Sequence, residues 1–576
     1  MKQCLLILML LAELVHAQTV SVPLSHWAYD VIECWEVRGL IESTLNGTQP
    51  FTRLEMATYI QQVLQTYLNT PERFSRVDLE QLRYLTVEFK EELKILTKTN
   101  PTINSKTRIS SILEKRPFSF LGNHFYRNGR NLLELHHDDF NLFADPVLSY
   151  DSREMIDEEK GKYQQTRLSN GFLFRGNLGR YMGFYFNLTD NHVRDERWKD
   201  QRIDFQVLEE SGWPFLLKGR IGSWDFDENV AYLSLNYKYF YLLYGREYNQ
   251  WGVGHLSNLL LSTNAQLYDQ LKLVVRYWRF KFTHLTAFIQ YISANARKNI
   301  KSQPHIDVYW AGNRLELDLG KGLQMGFSEA IVYGNRSLQP GYLNPMSFFK
   351  SLEHYYGDRD NGLLSLDFEL RLKPGFKIFG EWLIDDISTG KIGSDFYGNK
   401  FAWQGGFLWV NPLRIPDVDL LVEYVRIKPY VYSQSFQDYN KYKHYDTILG
   451  HFIGPNSDDF YLRLRKRFSK FFTVSGEIEK YRHGSNLSDR NVGGDPDLPH
   501  RTGDAWDAPF LDGILNRQLS MGVSLQYEFI RNLFGEFHFR RIRYYNQDWK
   551  TLLSFRLSFN FGYRAEKFRN IFPLNH

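Results

Sequence analysis

The sequence predicts a mostly β protein: a transmembrane antiparallel β-barrel with a small three-helix bundle at its N-terminal end. Three observations carry this prediction. A secretory leader opens the chain, aromatic residues make up 16% of its 576 residues, and from about residue 118 onward hydrophobic residues recur with a period of two. Mean hydropathy is −0.43, and nothing beyond the leader approaches the ~18 consecutive apolar residues of a membrane helix. An exported chain that is polar on average yet rich in aromatics fits a barrel. Its strands alternate lipid-facing apolar with lumen-facing polar residues, between aromatic girdles at both interfaces.

The leader reads MKQCLLILMLLAELVHAQ. Lys2 supplies a positive charge, Leu5–Leu11 is a short apolar core, and Val15 and Ala17 sit at −3 and −1 of a cleavage site before Gln18. Residues 1–17 therefore read as a signal peptide, and with no cysteine after the cut a lipid anchor is not expected. Cys4 leaves with the leader, so Cys34 is alone in the mature chain and reads as a small buried hydrophobe. Lys and Arg number 70 against 66 Asp and Glu, a net charge of +4. That balance argues against a nucleic-acid partner, which would require a concentrated basic face.

Residues 18–100 differ from the rest. Trp27, Val31 and Trp35 fall at helical spacing, with Ser25 placed to cap the start and Gly39 to end the turn. A second helix puts Leu54, Ala57, Ile60 and Leu64 on one face, behind Thr52-x-x-Glu55, the form of a capping box. A third starts at Pro71, with a stripe of Leu79, Leu82, Leu85, Phe89, Leu93 and Leu96. His26-Trp27-Ala28, Arg38-Gly39-Leu40-Ile41 and Thr52-Arg53-Leu54-Glu55 together resemble a single S-layer homology repeat. In that family the Thr-Arg-x-Glu segment helps bind cell-wall polymers. The resemblance thus makes Arg53 and Glu55 candidate wall-binding residues, and peptidoglycan a candidate partner; the plainer reading is a capped helix in a packed bundle.

Residues 101–117 form a polar connector, and 118–576 the barrel. Near the C-terminus, Leu553, Phe555, Leu557, Phe559, Phe561 and Tyr563 alternate with Ser554, Arg556, Ser558, Asn560, Gly562 and Arg564. Arginine on a small polar face, opposite an unbroken apolar one, fits a wet lumen and a lipid exterior. At about 10 residues per tilted strand, the barrel region suits about 18 strands, with 16 the next even number.

Departures from the alternation mark candidate binding loops. The clearest is Tyr244–Asp269, YGREYNQWGVGHLSNLLLSTNAQLYD. Arg246, Trp251, His255, Asn258, Asn264 and Asp269 combine an indole with amides and charges. This suits carbohydrate, because the ring packs on sugar C–H groups and the polar groups satisfy hydroxyls. The other reading is a constriction loop folded into the lumen with no ligand.

Chemistry of other kinds finds little support. Glu381 with Asp385-Asp386 has the residue types of a glycosidase pair, but neighbouring strand residues face opposite sides. His136-His137-Asp138-Asp139 is split between faces in the same way, so no metal or other cofactor is expected. No nucleophile elbow, P-loop or dinucleotide fingerprint occurs. The chain does not read as an enzyme.

The stretch YGREYNQWGVGHLSNLLLSTNAQLYDQLKL resembles the Wzi family of outer-membrane capsule-assembly proteins. Further blocks agree in order: AGNRLEL (311–317), GFSEAIVYGNR (326–336), LNPMSFFKSLEHYYGDRDNGLLSLDFEL (343–370), GEWLIDD (380–386) and LGHFIGPNSDDFYLRL (449–464). The resemblance implies an 18-stranded barrel in the outer membrane of a Gram-negative cell, with the helical bundle in the periplasm. It further implies a non-enzymatic lectin that holds exported capsular or extracellular polysaccharide at the surface. The reading that competes with it is a passive or sugar-selective, porin-like channel.

Overall fold

The computed structural model describes residues 20–99, 126, 129–137, 139–157, 161–179, 181–200, 218–292, 306–435, 437–545 and 547–560. The predicted signal peptide and connector, and the end of the terminal alternation from Phe561, lie outside the described residues.

Among the described residues eighteen antiparallel strands close into one barrel, and two short strands, Leu133–His137 and Lys218–Arg220, add to its edge. In chain order the eighteen are β1 Phe140–Asp157, β2 Gly161–Leu178, β3 Met182–Asp195, β4 Ser223–Tyr237, β5 Phe240–Arg246 and β6 Asp269–Tyr277. Next come β7 Phe280–Ile289, β8 Val308–Gly320, β9 Leu323–Gly334, β10 Asn361–Lys373, β11 Phe376–Asp386 and β12 Lys400–Val410. The circuit ends with β13 Val418–Ile427, β14 Ser457–Arg467, β15 Phe472–Ser485, β16 Ile514–Ile530, β17 Leu533–Tyr544 and β18 Trp549–Phe559. Each pairs with its sequence neighbour, and β18 returns to β1, with Phe555 opposite Ser152. Closure pairs each of these eighteen strands on both sides.

The burial pattern is inverted relative to a water-soluble sandwich. On β18, Phe555 and Leu557 are exposed while Ser554, Arg556 and Ser558 are buried. On β16, Met521, Val523, Leu525, Tyr527 and Phe529 all face outward and are exposed. The period-two pattern therefore places apolar side chains on the outer wall and polar ones toward the interior.

The two ends of the barrel differ. One has tight turns (238–239, 278–279, 321–322, 374–375 and 531–532), and the other long connections (247–268, 335–360, 387–399 and 486–513). The N-terminal helices pack at the tight-turn end, where Gly375 donates to the carbonyl of Val37 at 2.9 Å and Ser75 Oγ lies 2.5 Å from Asp417.

These helices number four rather than three: α1 Ala28–Val37, α2 Arg53–Asn69, α3 Arg76–Glu88 and α4 Lys90–Thr99. Pro71–Arg73 is only a short 3-10 turn, and α3 begins behind a second capping box, Ser75 with Asp78. The predicted third helix breaks at Phe89, whose ring is fully buried and lies 4.5 Å beneath the Arg53 guanidinium. The Thr52–Glu55 box forms as expected, and Gly39 ends α1 at φ +71. Ser25 does not cap α1. Trp27 holds that position without a side-chain bond, and His26 Nδ1 accepts from Ala28 N instead. Cys34 is buried against β12–β14, and burial pushes its thiol up to about 11.

Candidate functional site

The loop between β5 and β6 does not stay at the rim. After Arg246 it turns inward, and Trp251, Asn258, Leu259 and Leu261 are fully buried. Two glycines permit the turn. Gly252 has φ +124, and a Cβ there would sit 2.6 Å from Glu381 Oε2 and 2.7 Å from Asn258 Oδ1. At Gly254 a Cβ would fall 2.4 Å from Gln404 Nε2, while its amide donates to Asn258 Oδ1 at 2.8 Å. Only glycine fits this path.

Inside the barrel the loop meets the N-terminal segment. Thr48 and Gln49 pair antiparallel with Trp251 and Gln250, and Gly252 N donates to Gly47 O at 2.9 Å. The Trp251 ring packs edge-on to Trp310, with centroids 5.3 Å apart. The chain has thus built a two-residue β-ladder across its own lumen.

Polar and charged groups of the inner wall hold both partners by their backbone atoms. Lys281 Nζ donates to the carbonyls of Leu45 and Thr48. Glu423 accepts from the amides of His255 and Leu256, Gln404 donates to Ser257 O, and Glu381 accepts from Leu259 N. His255 Nε2 lies 2.8 Å from Glu33 on α1, and Lys377 donates to that same carboxylate at 2.7 Å. Burial opposes ionisation of Glu33, but His255 and Lys377 outweigh it and hold the carboxyl well below the usual carboxylate range.

The plug is also fastened from the long-loop end. Tyr432 and Tyr442 donate their hydroxyls to the carbonyls of Leu259 and Leu260. Ser262 Oγ donates to Gly450 O, and Asn264 Nδ2 to Ile448 O. Beside this apolar packing, a cavity of about 750 Å³ separates the helices from the opposite wall. Its lining includes Arg463, Arg540 and Arg556 with Glu477 and Glu536, and Arg556 pairs with Glu536 on the neighbouring strand.

The structure therefore divides the predicted sugar-binding residues. Trp251, His255 and Asn258 lie in the interior junction, and Asn264 pins the loop to 448. Arg246 and Asp269 stay at the rim as strand partners 3.1 Å apart, with side chains 38% and 63% exposed. Arg53 is buried, bonded to Glu92 at 2.5 Å and to Glu88, while Glu55 caps α2 and pairs with Arg276 at 2.9 Å. Asp385 accepts from Tyr432 N at 2.6 Å, Glu381 lies beneath the plug, and Asp386 is exposed. These three carboxyls do not share one space. Among the described residues no cluster of three or more His, Cys, Asp or Glu could hold a metal ion.

Sequence reasoning missed a group of rings at the long-loop end: Phe396, Tyr397, His500 and Trp506. The available signal was an unusual one, a tryptophan inside the polar stretch RTGDAWDAP.

Residues 149–534 match the family described as capsule assembly protein Wzi. No curated protein matches the sequence. Among solved structures, the fold resembles Escherichia coli Wzi, described as an outer-membrane protein involved in group 1 capsule assembly and a carbohydrate-binding β-barrel. That likeness has a TM-score of 0.53 at 11% identity, covering 95% of this chain and 100% of the other. Pseudomonas aeruginosa OccK2 (OpdF) aligns at TM-score 0.42 and 10% identity, over 73% of this chain and 97% of its own.

Proposed function

Because the chain belongs to the capsule assembly protein Wzi family, we propose that it is a non-enzymatic outer-membrane lectin holding capsular or extracellular polysaccharide at the cell surface. The observation that carries this reading is the Thr48–Trp251 ladder. Loop and helices meet inside the barrel, which leaves the long-loop rim as the working surface. The exposed apolar wall suits outer-membrane lipid, since water-soluble proteins seldom expose contiguous patches beyond a few hundred Å². Short turns face the periplasm in bacterial barrels and long loops face outward. The helices, within residues 18–100, are therefore the periplasmic part, and the barrel that follows them spans the membrane.

In this reading Arg246 and Asp269 meet the polymer directly. Trp251, His255, Asn258 and Asn264 act behind them by keeping the plug in place. Arg53 and Glu55 serve the bundle, because their charges are already satisfied within it and at Arg276. Any hold on peptidoglycan then comes from other faces of the helices.

A second reading rests on the 750 Å³ cavity, whose charged lining suits a passive or sugar-selective channel. The two readings are separated by adding the full-length protein to a planar bilayer and, in detergent, to polysaccharide shed by the cells that make it. Polymer capture without steady conductance supports the lectin. Conductance without capture supports the channel.

A further inference from the structure

Two loops far apart in sequence build an aromatic platform at the long-loop end. Residues 387–399 join β11 to β12, and 486–513 join β15 to β16. Their backbones lock together: Phe396 bridges Asp507, Tyr397 N donates to Trp506 O at 3.0 Å, and Ala508 N donates to Asp395 O at 2.7 Å. Phe396 and Trp506 then lie nearly parallel, with centroids 5.7 Å apart at 25°. Tyr397 stacks on His500 at 3.5 Å beside them, and Lys391 Nζ lies 3.8 Å and 4.6 Å from the Phe396 and Trp506 centroids.

Trp506 is nevertheless 63% exposed. An indole held in place by two loops and left open to solvent is a costly arrangement for a fold that does not use it. The part of its electron-rich π face that Phe396 and Lys391 leave uncovered attracts the weakly positive C–H groups on the flat side of a pyranose ring. The exposed carboxylates of Asp395 and Asp507 flank the rings and can accept from sugar hydroxyls. Lys391, and Lys428 reaching Ser394 O at 3.3 Å, balance those two carboxylates, so these four groups carry no excess positive charge to select a polyanion.

We propose that Phe396 and Trp506, flanked by Asp395 and Asp507, form a subsite for a neutral, hydroxyl-rich hexopyranose unit of the polymer. This rests on the lectin reading and gives it a location and a ligand class. Binding here depends on stacking and hydroxyl contacts, and therefore responds little to salt, whereas a polyanion site is screened as ionic strength rises.

The test uses the full-length protein in detergent on an immobilised panel of neutral and uronate-containing hexasaccharides. The wild type is expected to capture neutral members, with affinity changing less than about twofold as salt rises toward a Debye length of about 3 Å. Trp506→Ala is expected to weaken capture about tenfold or more, as for a central aromatic anchor, and Trp506→Phe to restore most of it. A Trp506→Ala protein that binds as tightly as the wild type overturns the subsite while leaving the lectin reading intact. Capture confined to uronate-containing members and lost in salt overturns the ligand class. A wild type that captures no member overturns the lectin reading and this inference with it.

Discussion

Thr48 and Trp251 are antiparallel strand partners inside the barrel, joining a segment from the N-terminal helices to a loop that enters from the opposite end. Neither can move far without the other, because Lys281 holds the carbonyl of Thr48 and Glu423 the amide of His255. The junction inside the barrel is thus made by two segments about two hundred residues apart. Predictions about either one can be read at both.

Trp251→Ala removes a fully buried indole packed on Trp310. The expected cost is about 3–5 kcal/mol, the usual range for truncating a large buried aromatic. Thermal unfolding in detergent measures it. Bilayer conductance is expected to rise in the same variant.

Gly252→Ala tests the path of the loop rather than its anchor. The new Cβ would meet Glu381 Oε2 and Asn258 Oδ1 at a φ that alanine rarely adopts. A loss of at least about 2 kcal/mol is expected from backbone strain and the clash together. Limited proteolysis of residues 247–268 should then proceed where the wild type resists.

Much of this was legible in the sequence, but not where the loop goes. The alternation of Phe555 and Leu557 with Ser554 and Arg556 is local, so it gave both strand and facing. Thr52-x-x-Glu55 likewise gave a helix start, and Ser75-x-x-Asp78, at the same spacing, could have given another. The pairing of residue 251 with residue 48 has no local signature. Polar residues beside Trp251 suit a sugar and a buried junction equally well, and only the wall groups at Lys281, Glu381 and Glu423 decide between them. The Phe396–Trp506 stack was hidden for the same reason, since its halves sit in loops 110 positions apart.

Arg53→Ala separates structure from wall binding. It takes from Glu92 its buried cation and leaves Glu88 to Arg531, with an expected cost of about 3–5 kcal/mol. Stability of the helices should fall, while co-sedimentation of the intact protein with peptidoglycan should change only as far as unfolding explains.

His26 sets a pH dependence. Burial, with Arg53, Lys470 and Arg531 nearby, lowers its imidazole to about 4 against an opposing pull from Glu88. The packed state therefore holds this ring neutral, whereas a released segment takes up a proton near pH 6.5. The stabilisation is complete above that value and is lost as pH falls from about 6.5 toward 4. Its size is on the order of 2 kcal/mol, discounted for the part-exposed ring. Protease sensitivity of the helices between pH 7.5 and 5 reads it out, and His26→Gln should flatten the profile.

Arg246→Ala and Asp269→Ala are expected to change stability by less than about 1 kcal/mol, as for other exposed ion pairs. Polymer capture by the purified protein should nevertheless fall in both. Unchanged capture would remove this pair from the binding surface.

The central claim is that the protein retains polymer at the surface. It is tested most directly by the ratio of cell-bound to released polysaccharide in a strain lacking the gene. The account predicts unchanged total polymer with a much larger shed fraction, restored by the wild-type gene. An unchanged ratio, together with reduced uptake of small solutes, would contradict it and make the barrel a channel.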